Sequence, residues 1–189
     1  MKRRIPLRNN LIKAWLKCKK DYDARRINSE RTLQAALWAH LTAILRKDPI
    51  RKHQRLFLEP IFRVEAGTVY PDLVICNCRT IIGVVEIKYL PRARPKFSKD
   101  LKTLAALASQ RKNLKMENLR YRGVDTEQAE FQFSEHVLFC WAGIHRREFA
   151  ALDEFEQRRP DVVGEYYFEM HGLTEEAQPL STVIVPSPL

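Results

Sequence analysis

No apolar run in the chain approaches the roughly 20 residues needed to cross a bilayer. The basic start, MKRRIPLRNN, leads into an amphipathic stretch and not into the apolar segment of a signal peptide. The expectation is a soluble, non-exported, cytoplasmic protein with no membrane contact. Cysteine is scarce: Cys18, Cys76, Cys78 and Cys140 are too few and too scattered for a disulfide scaffold, and the Cys76-x-Cys78 gap is shorter than usual zinc spacings. Reduced thiols are expected. Histidine is equally uninformative. His40 falls near an apolar helix stripe and reads as a packed imidazole, while His53, His136, His145 and His171 show no ligand spacing. There is no internal repeat and no low-complexity tract.

What is present is enough for one folded domain with short terminal additions. The 189 residues are 45% hydrophobic and 10% aromatic, unlike a disordered polycation, and carry 33 Lys+Arg against 23 Asp+Glu, a formal charge of +10. That charge is uneven. Residues 1–26 hold ten basic and two acidic residues, and residues 88–120 repeat that balance, with Asp100 and Glu117 as their only acids. Residues 121–180 reverse it, with five basic against thirteen acidic. A basic patch beside folded structure is the footprint of a polyanion binder, because each neutralised phosphate releases condensed counterions. A merely solvated surface gives the same pattern.

Hydrophobic periodicity predicts a short helix over residues 9–20 and a clear one after Asn28-Ser29, carrying Leu33, Leu37, Leu41 and Leu45 until Asp48-Pro49 stops it. Residues 54–64 have strand composition, with Pro60 marking an edge or a bend, and Glu65-Ala66-Gly67 turns the chain. Pro71–Cys76 and Thr80–Leu90 read as two antiparallel strands joined at Asn77-Cys78-Arg79. Ser98 then caps a helix with Leu101, Leu104, Ala105 and Ala108 on one side. Residues 118–130 read as a loop, 136–144 as a buried strand, 148–159 as a helix, and 165–170 and 181–185 as short terminal strands. The mixed order suits an α/β sheet covered by helices.

Strand alternation puts Ile81, Gly83, Val85 and Ile87 on one face of Thr80–Leu90, and Ile82, Val84, Glu86 and Lys88 on the other. A carboxylate and an ammonium thus share one face at the end of an apolar strand, where charge needs a partner or a task. If the hairpin turns near residues 77–80, Asp72 lies beside residues 84–86 and two carboxylates meet. A divalent cation is the simplest way to keep both ionised, and oxygen ligands favour Mg2+, or Mn2+, over zinc. Each residue also has an ordinary reading: Asp72 as a strand-opening turn residue, Glu86 and Lys88 as an edge-strand charge pair, and Glu30 as a carboxylate complementing a helix dipole.

Pro71-Asp72, thirteen residues, then Glu86-Ile87-Lys88 resembles the signature of the PD-(D/E)XK nuclease superfamily. The likeness covers residues 28–145. It implies a restriction-endonuclease-like core, an α/β fold with a mixed central sheet flanked by helices in αβββαβ order. A basic helical extension (1–27) would precede this core, and an acidic extension (146–189) would pack on it. Members often place a glutamate on the first helix, and Glu30 matches that position, two turns from Leu37 and on the same inward face. By this resemblance Asp72, Glu86 and the Ile87 carbonyl would bind the metal, Lys88 would orient or activate the attacking water, and Glu30 would assist. The implied activity is Mg2+-dependent hydrolysis of phosphodiester bonds, of DNA more than RNA. Gln34, one turn beyond Glu30, is read as a surface or structural amide and left outside this set.

Arg92, Arg94 and Lys96 follow the motif, and Lys99 and Lys102 open the next helix, where backbone amides also favour phosphate. They are the nucleic-acid-binding candidates. Tyr89 and Phe97 flank them as candidates for stacking on bases or packing in the core. A homodimer would let a small domain reach both strands of a duplex. Two rival readings stand beside the enzyme: a nucleic-acid-binding module that does not cleave, and an interaction component of a repair or defence assembly whose acidic segment meets a basic partner.

Overall fold

The computed structural model describes residues 5–47, 53–95, 97–118, 129–149, 152–154, 157 and 159–186. Helix α1 (Ile5–Asp23) is longer than its periodicity suggested and buries Leu7, Leu11, Ala14, Trp15 and Cys18 along one stripe. Helix α2 (Glu30–Arg46) starts where the sequence places it. Ser29 is the N-cap; its hydroxyl accepts from the Thr32 amide, and Thr32 Oγ1 accepts from the Ser29 amide at 2.9 Å. Leu33, Leu37, Leu41 and Leu45 recur every four residues and are buried. Asp48-Pro49, the expected stop, lies outside the described residues.

Strands β1 (Gln54–Leu58), β4 (Leu73–Asn77) and β5 (Thr80–Leu90) pair antiparallel in that spatial order. Pro60 breaks the 54–64 run, so its second half, β2 (Phe62–Val64), leaves the sheet and forms a hairpin with β3 (Gly67–Val69). After β5 comes helix α3 (Ser98–Gln110), whose N-cap is Phe97 and not the expected Ser98, with no side-chain cap bond. β7 (Ala129–Arg146) runs parallel to β5, and β6 (Lys115–Asn118) pairs antiparallel with its first residues. The loop expected over 118–130 begins in β6 at Asn118 and ends in β7 at Ala129 and Glu130, and residues 119–128 lie outside the described residues.

Beyond residue 145 the chain continues the sheet. β8 (Tyr167–Thr174) is parallel to β7 and β9 (Ser181–Val185) antiparallel to β8, giving the order β1-β4-β5-β7-β8-β9. Of the helix expected over 148–159, Arg147–Phe149 and Leu152–Glu154 are short 3-10 turns, Gln157 is helical, and residues 150, 151, 155, 156 and 158 lie outside the described residues. The result is an α/β fold in three layers. α1 and α2 cover one face through Trp15, Leu37, Ile75, Val85 and Phe168; α3, the β2–β3 hairpin and Val163 cover the other through Phe62, Val84, Leu107, Phe131 and Trp141. Among the described residues no helix is long and apolar enough to cross a membrane.

The two faces of β5 differ from strict alternation in one place. Pairing slips between Ile81 and Gly83 on both neighbours, so Ile82 packs with Val85 and Ile87 while Ile81 packs with Val84. The bulge inserts one residue and reverses the assignment of Ile81 and Ile82 upstream of it. Downstream the alternation holds, and Glu86 and Lys88 stay on the α3 face.

Candidate active site

The β4–β5 hairpin closes through the two-residue turn Cys78-Arg79, with Asn77 opposite Thr80 and Cys78 at φ 54°. The ladder then places Leu73 opposite Val85, so the next residues outward, Asp72 and Glu86, stand side by side. Asp72 Oδ2 accepts from the Ile87 amide at 2.6 Å, and Glu86, when protonated, can donate to the neighbouring Asp72 carboxylate. What is visible at Ile87 is this amide contact; its side chain is buried under α1 and α2.

Burial dominates the electrostatics. It pushes the Asp72 carboxyl up to about 6, partly offset by the Ile87 amide. Glu86 is only 6% exposed, and burial together with the neighbouring Asp72 and Asp100 charges drives its carboxyl well above the usual carboxylate range. Its Oε1 has no hydrogen-bond partner. A half-buried and a buried carboxyl side by side, with one oxygen of the buried one unpartnered, are short of positive charge.

Lys88, two residues on, is a cation that acts on both carboxyls. Its Nζ lies 3.4 Å from Glu30 Oε2 and 3.6 Å from Asp100 Oδ1. Desolvation alone would lower its pKa, but Asp100 and Glu30 together hold the ammonium above its ordinary value. Glu30 does not follow Leu37 into the core: its side chain is 45% exposed, and from the first turn of α2 it reaches the end of β5, where Oε2 also accepts from the Tyr89 amide at 3.2 Å. Gln34 is a structural amide, buried and donating to the Asp72 carbonyl at 2.9 Å.

Asp100 was not legible as a site residue. It is a lone acid in a basic helix, outside any motif, yet it is 4% exposed and joins Lys88 to the Trp141 indole, whose Nε1 donates to Oδ2 at 3.1 Å. Burial raises its carboxyl, with Lys88 and Trp141 opposing the shift. Gly143 makes room for this arrangement: a Cβ there would come within 2.1 Å of the Trp141 ring. Trp141 stands between Glu86 and Glu169 in the sheet, and on the far side a buried chain runs from Tyr167 through Glu169 and His171 to His145 at 2.8–2.9 Å per link. These histidines, given no role from spacing, are partners in a buried polar network, and His40 is paired with Asp21 at 2.6 Å.

Arg92, Arg94, Lys99 and Lys102 are all exposed around the start of α3, and Lys96 lies outside the described residues. Phe97 packs on Trp141, ring centroids 4.5 Å apart, while Tyr89 is half-exposed beside Tyr22. Cys78 is exposed and the other three cysteines are buried, all unpaired. Among the described residues, no three of His, Cys, Asp and Glu gather as a ready-made metal centre. The donor set nonetheless fits a hard cation in kind: two adjacent carboxyls, one oxygen of which lacks a partner. Compared with protein-family models, with curated proteins and with solved structures, the chain matches none.

Proposed function

We propose that the chain is a metal-dependent nuclease with a restriction-endonuclease-like core, hydrolysing phosphodiester bonds of DNA. One observation carries the reading: Asp72 and Glu86, fourteen residues apart in sequence, meet on adjacent strands with an unpartnered Glu86 oxygen, and Lys88 stands beside them. The succession α2, β1, β4, β5, α3, β7, with the first three strands antiparallel and the last parallel to β5, supports the fold half of the proposal.

Asp72 and Glu86 would hold Mg2+ or Mn2+, with the Ile87 carbonyl as a further oxygen donor. Bound there, the cation would offset charge developing on the phosphate oxygens and lower the pKa of a water. The chain's own groups do the rest. Lys88 presents an ammonium to the attacking water or to a phosphate oxygen. Glu30 and Asp100 keep that ammonium charged and hold it at the strand end, and Trp141 fixes Asp100. Arg92, Arg94, Lys96, Lys99 and Lys102 would grip the backbone without reading bases.

A second reading, a binding module that does not cleave, is favoured by one fact: Lys88 is already shared between two carboxylates. Purified protein with plasmid, linear and branched DNA decides between them. The expected result is cutting in Mg2+, none in EDTA, and a loss of about 100-fold or more in Asp72→Ala and Lys88→Ala. Equal cutting by wild type and variants would refute the enzyme; salt-sensitive binding with no turnover would establish the module.

A further inference from the structure

At the same end of β5, on its α1 side, two adjoining hollows of about 550 and 540 Å3 share Tyr22 and Tyr89 as a common wall. The first is also lined by Arg92, Arg146, Glu175 and Glu176, the second by Asp23, Arg25 and Gln178. Each is large enough for a nucleotide-sized group. The trough meets the carboxylate cluster at one residue: Glu30 Oε2 accepts the Tyr89 amide and pairs with Lys88.

Three features select what fits. Tyr22 and Tyr89 are half-exposed, with ring centroids 6.3 Å apart and planes tilted by 58°, too close to admit a base between them but offering an aromatic wall against which one can lie. The charges are divided. Arg92 and Arg146 supply cations, and Arg146 pairs with the exposed Glu148 at 3.2 Å, a pair that a phosphate can displace at little cost. Glu175 and Glu176 line the same hollow, Glu175 paired with Arg147 at 2.9 Å. A trough lined by both cations and acids can satisfy a single phosphate backbone, and the second backbone of a duplex would meet the acids as well. Paired bases are also stacked on one another and offer no free face to a side chain.

We infer that this trough is the binding subsite for an unpaired DNA strand, with a base against Tyr22 and Tyr89 and its phosphate toward Arg92 and Arg146. The inference rests on the nuclease reading of the neighbouring cluster and specifies its substrate as single-stranded ends or flaps.

The test is fluorescence anisotropy of a labelled single-stranded 12-mer and of the matching duplex, in EDTA so that no cleavage intervenes. The proteins are wild type, Tyr22→Leu and Tyr22→Phe, with thermal melts confirming that each is folded. The subsite predicts about 10-fold tighter binding of the single strand, a loss of about 5-fold or more in Tyr22→Leu for the single strand alone, and near wild-type binding in Tyr22→Phe. Equal or tighter binding of the duplex, or a Tyr22→Leu variant indistinguishable from wild type, overturns it. A protein that fails this test yet cuts duplex DNA in Mg2+ loses the subsite and keeps the nuclease. One that binds single strands through Tyr22 and cuts nothing keeps the subsite and loses the nuclease.

Discussion

Asp72 and Glu86 are held in the folded chain in a state that opposes their own ionisation. Burial raises both carboxyls, Asp72 to about 6 and Glu86 well above the usual range, so the fold binds protons that the unfolded chain releases. The sign follows: their contribution favours the fold below about pH 4, where the unfolded carboxyls are also protonated, and is lost as pH rises through 6 and beyond. Without metal, Asp72→Asn is therefore expected to be more stable than wild type at pH 8, by about 1–2 kcal/mol, with the gap closing toward pH 4. Urea melts in EDTA at the two pH values measure it. A variant less stable than wild type at pH 8 would mean that burial is not what governs the pair. The sequence disclosed this pair and Lys88 because their spacing on a hairpin fixes them locally. Asp100 stayed hidden, since what makes it part of the site is the docking of α3, which no local pattern encodes.

The elements show where local signals suffice and where they fail. α2 is readable from its start because a capping residue and a leucine stripe agree with one another. The β4–β5 hairpin was readable because two apolar runs flank a short turn. The bulge at Ile82-Gly83 was not, because nothing in TIIGVVEIKYL marks the residue that slips; the pattern of burial on both faces does so only once the neighbours are in place. The long β7 was seen as its apolar half alone, and its polar first half becomes strand by pairing with β6. Gly143 is a similar case, an unremarked glycine whose missing side chain lets Trp141 lie flat and reach Asp100. Gly143→Ala must displace that ring. It is expected to cost about 1–3 kcal/mol of stability by overpacking, read from urea melts, and to loosen the support of Lys88. Unchanged stability would show that Trp141 can move freely and does not buttress the site.

For the whole molecule the division of charge is the governing feature. Sequence counting located a basic region around the start of α3 and an acidic one after residue 121, and the structure sets exposed Arg92, Arg94, Lys99 and Lys102 next to the carboxylate cluster at the end of β5. What counting could not reveal is that residues 167–185 extend the central sheet, because short apolar strands carry no signal of which neighbour they will pair with. If the four cations contact phosphates, replacing all of them by Gln should reduce the slope of log binding constant against log salt by about 3 to 4 units on duplex DNA. An unchanged slope would place the phosphate contacts elsewhere. The proposed nuclease depends on a hard cation held between β4 and β5, and a crystal soaked in Mn2+ tests that most directly. The account predicts an anomalous density peak roughly 2 Å from a carboxylate oxygen of both Asp72 and Glu86, absent in Asp72→Asn. A well-diffracting soaked crystal with no peak there would contradict it.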